Sequence, residues 1–436
     1  MMHLLYIPLY ALYVAGFLLL IYKARFFNIP DVKRNHLAFF FLLKVAAGIA
    51  LTLVYTYYYT DPTKADIYRY FTDSKIISSL LFTHPVDWLK IITGIGTYDP
   101  QTFKYLQDTL YFTHPVNDLV TDNTLFIRVI SILNYFSFYN IYIDTLLFNC
   151  IAFVALTALF KALSPFFSEF PQILFWPLFL MPSVVFWSSG LLKEELLFVG
   201  IALYIYAATK PSTGINWKNL LFIFMAILLV ALTKIYVGLI MVLCGTFLPT
   251  QIEGKTYRSG IALKYGVYIG MGILVWLYAG DYLSSNIIYK RNEFIQLAIA
   301  EHSNSILDTT IVTGGWNSIF ALVPSAFENA ILRPFVRDKG TVFQLLFAVE
   351  NFLFIASLIF LLLRYFKWPE KIKLFMALFC FSFAVLNYLS IGITIPILGA
   401  IVHYRVIAMP FLLLSVLLMT NLERLKFDYT RLLSSL

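Results

Sequence analysis

An all-α, polytopic membrane protein of about eleven transmembrane helices is the fold class this chain predicts, on three observations. Of its 436 residues 60% are hydrophobic and only 13% charged, and the mean hydropathy is +0.79; soluble domains carry about 25% charged residues. Apolar runs long enough to span a bilayer recur from end to end. Basic residues gather in alternate connections between those runs, which is the bias that orients membrane helices. The chain, 1–436, reads as a single integral membrane domain.

Single spans fall near 4–22, 37–59, 141–160, 261–280, 342–363, 374–391 and 406–420. The first Lys is Lys23, after the first run, so Met1–Tyr22 reads as a retained span starting outside rather than a secretory signal. Stretches 173–208 and 219–248 are too long for one span and short for two. Charge decides between the options. The connections taken as cytoplasmic hold seventeen basic residues, from Lys23 to Arg431, against six acids. Residues 60–126 instead carry five basic residues and eight Asp, and residues 281–340 five basic and six acidic. These are the two extracytoplasmic helical loops, the first with amphipathic helices. Both long stretches are then hairpins with tips outside, the N-terminus is extracytoplasmic and the C-terminus cytoplasmic. The +8 net charge is mostly an orientation signal, which argues against nucleic acid as a partner. Hairpin arms of about 13–15 residues reach only about 20 Å. A hydrocarbon core is about 30 Å thick, so the tips are submerged or the helices broken, which lipid tolerates only where protein or water lines them.

The residues that interrupt the apolar runs are the candidate site. Asp66, Arg69, Tyr70 and Asp73 are spaced i, i+3, i+4 and i+7 on a helix expected to start after Pro62, so they share one face. Lys193 and Glu194 mark the first hairpin tip, in Trp187–Glu195, and Lys234 with Tyr236 the second. Arg333 and Arg337 close the second loop, and His403 and Arg405 enter the last span after a Pro- and Gly-broken segment at 394–399. Asp122, Asn123, Thr124 and Arg128 offer a weaker polar contact. An ionisable side chain in lipid is costly, about 2.5–3.5 kcal/mol on insertion scales, so each of these faces protein or water. Plainer readings stand beside this one: a self-neutralising Lys–Glu pair at the first tip, a snorkelling lysine at the second, and juxtamembrane anchoring for the arginines.

Cations at a lipid boundary suit a phosphate on a membrane-embedded tail. A nearby carboxylate suits removal of a proton from an attacking hydroxyl. On that logic Lys193, Lys234, Arg333, Arg337 and Arg405 bind phosphate, Asp66, Asp73 and Glu194 are acids or bases, and Arg69, Tyr70, Tyr236 and His403 position substrate. His84 and His114 sit in His-Pro turns without ligand-like spacing, Gly94–Gly96 and Gly314–Gly315 read as turns, and Cys150, Cys244 and Cys380 read as core residues. No cytoplasmic loop has room for a nucleotide-binding domain. No metal and no cofactor follow from the sequence, and assistance by a divalent cation stays open.

Four stretches carry a resemblance: Asp66–Phe71, Pro182–Glu194, Leu332–Phe335 with Glu350-Asn351, and Tyr404-Arg405. Together they look like polytopic bacterial proteins of surface-glycan assembly. They resemble O-antigen and exopolysaccharide repeat-unit polymerases (the Wzy and EpsG kind) and, more distantly, GT-C glycosyltransferases. The resemblance implies extracytoplasmic glycosyl transfer or glycan polymerisation from a polyprenyl-phosphate-linked donor in a bacterial inner membrane. Membrane lipids and other glycan-assembly proteins are the further partners it implies. An acidic residue in the first outer loop is the base in GT-C enzymes, a role that falls here to Asp66 or Asp73. The chain departs from that pattern in having a span before the one that precedes this loop and in lacking a large C-terminal outer domain. A transporter or flippase for a lipid-linked glycan or other anion is the alternative, and a non-catalytic scaffold a third reading.

Overall fold

A computed structural model of the chain describes residues 6–58, 65–112, 122–210, 217–249, 251–252, 255–256, 261–300, 303, 305–338 and 342–435. The start of the first expected loop (60–64) and His114 lie outside them. Among the described residues every regular element is helical apart from a two-residue ladder pairing Gln251–Ile252 with Lys255–Thr256. In order the principal helices are α1 (Tyr6–Lys23), α2 (Arg34–Tyr57), α3 (Asp66–Thr83), α4 (Pro85–Thr93), α5 (Asp122–Ser137) and α6 (Ile141–Leu163). Then come α7 (Pro182–Trp187), α8 (Lys193–Thr209), α9 (Trp217–Thr233), α10 (Ile235–Cys244) and α11 (Ile261–Ala300). The chain ends with α12 (Val342–Tyr365), α13 (Lys371–Thr394), α14 (Leu398–Tyr404), α15 (Met409–Leu418) and α16 (Leu422–Ser435).

Five helices among the described residues are long and apolar enough to cross a membrane: α1, α2, α6 continued to Phe167, α12 and α13. The segment Leu398–Ile407 and α15 meet at a 48° bend and make a sixth if counted as one span. The protein is thus a multi-pass, all-helical one, with fewer full-length spans in the described residues than the eleven expected. The shortfall arises largely where broken hairpins were anticipated. Residues 173–208 do not form one long rod: a 3-10 turn (Pro171–Leu174), a π turn (Trp176–Leu180) and α7 precede a non-helical stretch at 188–192, and only then does α8 begin. Residues 219–248 break at Lys234, between α9 and α10. A Cβ on Gly238 would lie 2.9 Å from the Ala231 Cα. Seven residues of continuous helix rise about 10 Å, so the chain doubles back there. The helix expected after Pro62 begins at Asp66, and α11 runs unbroken to Ala300, so the second loop, expected to be helical, opens on helix.

The chain packs as two compact units. The first takes residues 1–161, 185–204 and 222–238; the second takes 162–184, 205–221 and 239–436.

In the first unit α1 buries only Ile21, as suits a helix apolar on every side. By contrast α2 buries Lys44, Gly48, Thr52 and Tyr55, spaced as one helical stripe of polar or small side chains. A second polar seam joins α3 to α5: Asn134 donates to the hydroxyls of Ser74 and Ser78, and Ser78 donates to the Ser131 carbonyl. The Asn134 amide group thus donates twice, while its buried Oδ1 accepts no hydrogen bond among the described residues.

In the second unit α13 is the central rod. Its Phe383 meets Phe411 of α15 edge-on at 4.9 Å, and Phe379 stacks on Phe383 at 5.8 Å. Such rings supply large buried apolar area with defined geometry.

Candidate functional site

In the first unit the site is built around the non-helical stretch 188–192. Ser-Ser-Gly cannot readily continue α7, since serine hydroxyls compete for backbone partners; Ser189 Oγ donates to the Val185 carbonyl. The stretch passes so close to α2 that a Cβ on Gly48 would sit 2.5 Å from the Ser189 carbonyl oxygen, and no other residue type fits there without displacement. Lys44, one turn earlier on the same α2 face, reaches into it: its ammonium donates to the Ser188 carbonyl, and to the Ser188 and Ser189 hydroxyls at 3.2 Å each. Asn149 of α6 donates to the Ser189 carbonyl at 3.0 Å. Behind them Glu195 is fully buried, 4.0 Å from the Lys44 ammonium, and neither of its oxygens accepts a hydrogen bond. Lys44 was not among the residues singled out from sequence, and Glu195 entered only as the end of the Trp187–Glu195 patch, with no role of its own. The signal was present in Lys44, a lone charge in the middle of an apolar span.

Helix α8 then opens with the two sequence-predicted residues. Glu194 accepts from Lys234 at 2.9 Å, so the charges of the two expected hairpin tips meet as a buried ion pair. Lys193 instead turns to the first loop: its ammonium donates to Asn123 Oδ1 at 2.8 Å and lies 5.8 Å from the centre of the Tyr70 ring. The same Asn123 oxygen accepts from the Tyr70 hydroxyl at 3.0 Å. Tyr70 packs on Tyr111 at 5.3 Å, and the Tyr111 hydroxyl contacts both Asp66 Oδ1, at 3.3 Å, and Arg69. Burial, and then the Asp66 charge, push the Tyr111 hydroxyl well above its usual pKa, so it stays protonated and acts as a donor. Asp66, Arg69, Tyr70 and Lys193 are therefore brought into one network, linked by Asn123 and Tyr111. Asn123 carried only a weak signal in the sequence and Tyr111 none.

Asp73, on the same helix face, has a different occupation. It is fully buried, and its carboxylate accepts the backbone N–H groups of Leu110 and Tyr111, three contacts of 3.0 Å. Burial pushes its pKa up, against the pull of those N–H groups. The residue anchors the chain that carries Tyr111, and this engagement leaves it poorly placed to take a substrate proton. Tyr236 is half-buried in the first turn of α10. Nearby on α5, Arg128 is buried over the Phe112 ring, with Nε and Nη2 unsatisfied.

The second unit holds the remaining predicted residues. Arg405 is entirely buried and donates from Nη1 to the Arg333 carbonyl, while its Nε and Nη2 find no acceptor. Asn351 of α12 donates to the Ile331 and Leu332 carbonyls at 3.1 and 2.8 Å. These two side chains thereby cap the carbonyl end of the π turn Glu328–Leu332. Glu350 accepts from the Ser183 N–H at 2.8 Å and from its hydroxyl. Arg333 is half-buried and bonded to Glu328 at 3.2 Å and Asp338 at 3.1 Å, which neutralise it. Arg337 is exposed over the Phe335 ring, and His403 stacks on Tyr404 at 5.0 Å. Arg405, expected as an accessible phosphate ligand, is instead enclosed and binds a backbone carbonyl.

Among the described residues no three His, Cys, Asp or Glu side chains converge as a metal site. Gly94 and Gly96 take positive φ, as expected of a turn, and Cys150, Cys244 and Cys380 are free thiols. No protein-family model, curated protein or solved structure matches the chain. What it does must be argued from these side chains alone.

Proposed function

We propose that the protein catalyses glycosyl transfer or glycan polymerisation on the extracytoplasmic side of a bacterial inner membrane, using a polyprenyl-phosphate-linked donor. One observation carries the reading: in the first unit a half-buried carboxylate, Asp66, is linked through hydrogen bonds and the Tyr111–Tyr70 ring contact to a lysine that interrupts an apolar stretch, Lys193. Base and cation are the two groups this chemistry needs. In the proposed step an acceptor hydroxyl oxygen forms a bond to the anomeric carbon of the donor sugar as the bond from that carbon to the phosphate oxygen breaks. The electron pair leaves on the polyprenyl phosphate, whose growing charge Lys193 stabilises, and the hydroxyl proton passes to Asp66. Asp66 is the base in preference to Asp73, whose carboxylate is held by backbone. Glu194 sets Lys234 in place. The eleven-span arrangement, N-terminus outside, is part of this proposal: the breaks at 188–192 and Lys234 are the submerged tips.

The test is reconstitution of the full chain in liposomes with a lipid-linked oligosaccharide, scoring chain extension. Wild type should extend it, and Asp66→Asn and Lys193→Gln should lose at least a hundredfold while remaining folded. Lipid movement across the bilayer without any new glycosidic bond would sink the reading. One observation favours that outcome. The buried Lys44–Glu195 pair lies midway along a span, the placement expected of a transporter.

A further inference from the structure

Three apolar helices of the second unit end at one level. Just past the ends of α12 and α15 an antiparallel bridge joins Phe366 to Thr420. Lys367 N–H donates to the Met419 carbonyl and Asn421 N–H to that of Tyr365, both within 2.9 Å, and α13 begins four residues on, at Lys371. Helix α16 starts at this junction and does not prolong α15. It crosses the end of α12, where Asp428 accepts from the Tyr365 hydroxyl at 2.9 Å and Arg424 lies over the same ring at 5.9 Å.

The outward side chains here are of two kinds. Leu363, Trp368 and Phe427 are large apolar groups exposed by 83, 69 and 64%. Arg364, Lys367, Lys371, Arg424 and Lys426 are exposed cations, against the exposed acids Glu370 and Glu423. The other two nearby acids are spoken for: Asp428 by Tyr365, and Glu169 by Lys373 at 2.7 Å. A tryptophan beside a ring of cations, at the common end of several apolar helices, marks a headgroup level. An amphipathic helix across that level, cationic outward, is built for an anionic surface.

We infer that the α12–α13 turn and α16 form a docking surface for anionic phospholipid headgroups, with Lys367, Arg424 and Lys426 as principal phosphate contacts and Trp368 and Phe427 seated at the acyl boundary. The inference is independent of the reaction proposed above.

The experiment uses the full chain in a neutral detergent, titrated with short-chain phosphatidylglycerol or phosphatidylcholine, with bound lipid counted by native mass spectrometry. Phosphatidylglycerol should bind on the order of a hundredfold more tightly. Each cation within reach of an anionic surface contributes about 1 kcal/mol, about fivefold, so K367Q/R424Q/K426Q should bring the two lipids to near parity. The control K104Q/K290Q, exposed cations elsewhere in the chain, should keep the preference. Because all three sites are exposed, the triple variant should melt like wild type; should it fail to fold, the three single variants serve, each losing about fivefold. Equal binding of both lipids by wild type, or an undiminished preference in the variants, overturns the inference. So does competition by millimolar inorganic phosphate as effective as that by the lipid, which would make the surface a free-anion site.

Discussion

Removing the Lys44 ammonium should destabilise the protein far more than removing the whole pair to which it belongs. Lys44 is 4% exposed and Glu195 not at all, so both charges sit in a low-dielectric interior. The lysine makes three hydrogen bonds to the 188–189 turn, while among the described residues the carboxylate accepts none and has the 4.0 Å ion pair alone. Lys44→Met therefore strands Glu195. Breaking a buried pair from one side costs about 3–5 kcal/mol, whereas replacing both partners with apolar groups is often neutral or stabilising. At about 2 °C per kcal/mol for a large chain, Lys44→Met should lower the melting temperature by roughly 6–10 °C. The double variant Lys44→Met/Glu195→Leu should recover at least half of that loss. Glu195→Gln leaves the buried Lys44 charge without its counter-ion but with its serine acceptors, and so should cost less than Lys44→Met. Melting of the four proteins in one detergent, followed by tryptophan fluorescence, measures this. If Lys44→Met melts within 1 °C of wild type, or the double variant melts no higher than the single, the pair is not a buried electrostatic unit and the argument fails.

Asp73→Asn turns one acceptor into a donor facing the Leu110 and Tyr111 N–H groups, and should cost about 1–3 kcal/mol; thermal melting reads it, and an unchanged melting point refutes the anchoring role. Asn123→Leu removes the oxygen shared by Lys193 and Tyr70, and should reduce transfer in the liposome assay at least tenfold, with Asn123→Gln retaining more than Asn123→Leu. Burial pushes the Glu169 carboxyl up, but the hydrogen bond and charge of Lys373 outweigh it and hold the pKa below its usual value. A lowered carboxylate pKa adds stability that is complete above the unfolded value, about 4.3, and is lost as pH falls through the folded one. Wild type should thus lose stability below about pH 4.3 faster than Lys373→Met, and parallel pH profiles would remove the pair from the account. Ile95→Cys, exposed in the first loop, should react with a membrane-impermeant maleimide in intact cells, whereas Trp368→Cys should react only after lysis; the reverse would invert the membrane orientation.

Much of the fold was legible because its cause is local. Twenty or so apolar residues between cationic flanks make a spanning helix whatever surrounds them, so α1, α2, α6, α12 and α13 fall where hydropathy places them. The breaks at 188–192 and Lys234 were legible for a related reason: charge and Ser-Gly cannot be accommodated in an unbroken lipid-facing helix. Helix in the second loop was expected, but its continuity with the preceding span was not, because the polarity of Asp281–Ala300 marks the end of the apolar run and not the end of the helix. The candidate network was half legible. Asp66, Arg69 and Tyr70 follow from helical spacing, but Asn123 and Tyr111 are ordinary polar and aromatic residues until packing brings them to Lys193.

Arg405 and Lys44 show where sequence reasoning loses its grip. Both are ionisable side chains in apolar surroundings, and each is there under constraint, since nothing else would keep it. Yet the constraint on Arg405 is met partly by the Arg333 carbonyl, and that on Lys44 by the turn at Ser188 and Ser189. A backbone carbonyl and a phosphate oxygen ask the same thing of a cation: a donor at hydrogen-bond distance in a dry place. Composition cannot separate the two. Geometry can, because a carbonyl clamp encloses its cation whereas a ligand site must open. Lys193 is buried as well, but its partner is the Asn123 side chain at a break in the apolar run and not a backbone carbonyl, so it remains the better phosphate candidate, and Arg405 holds the frame of its own unit.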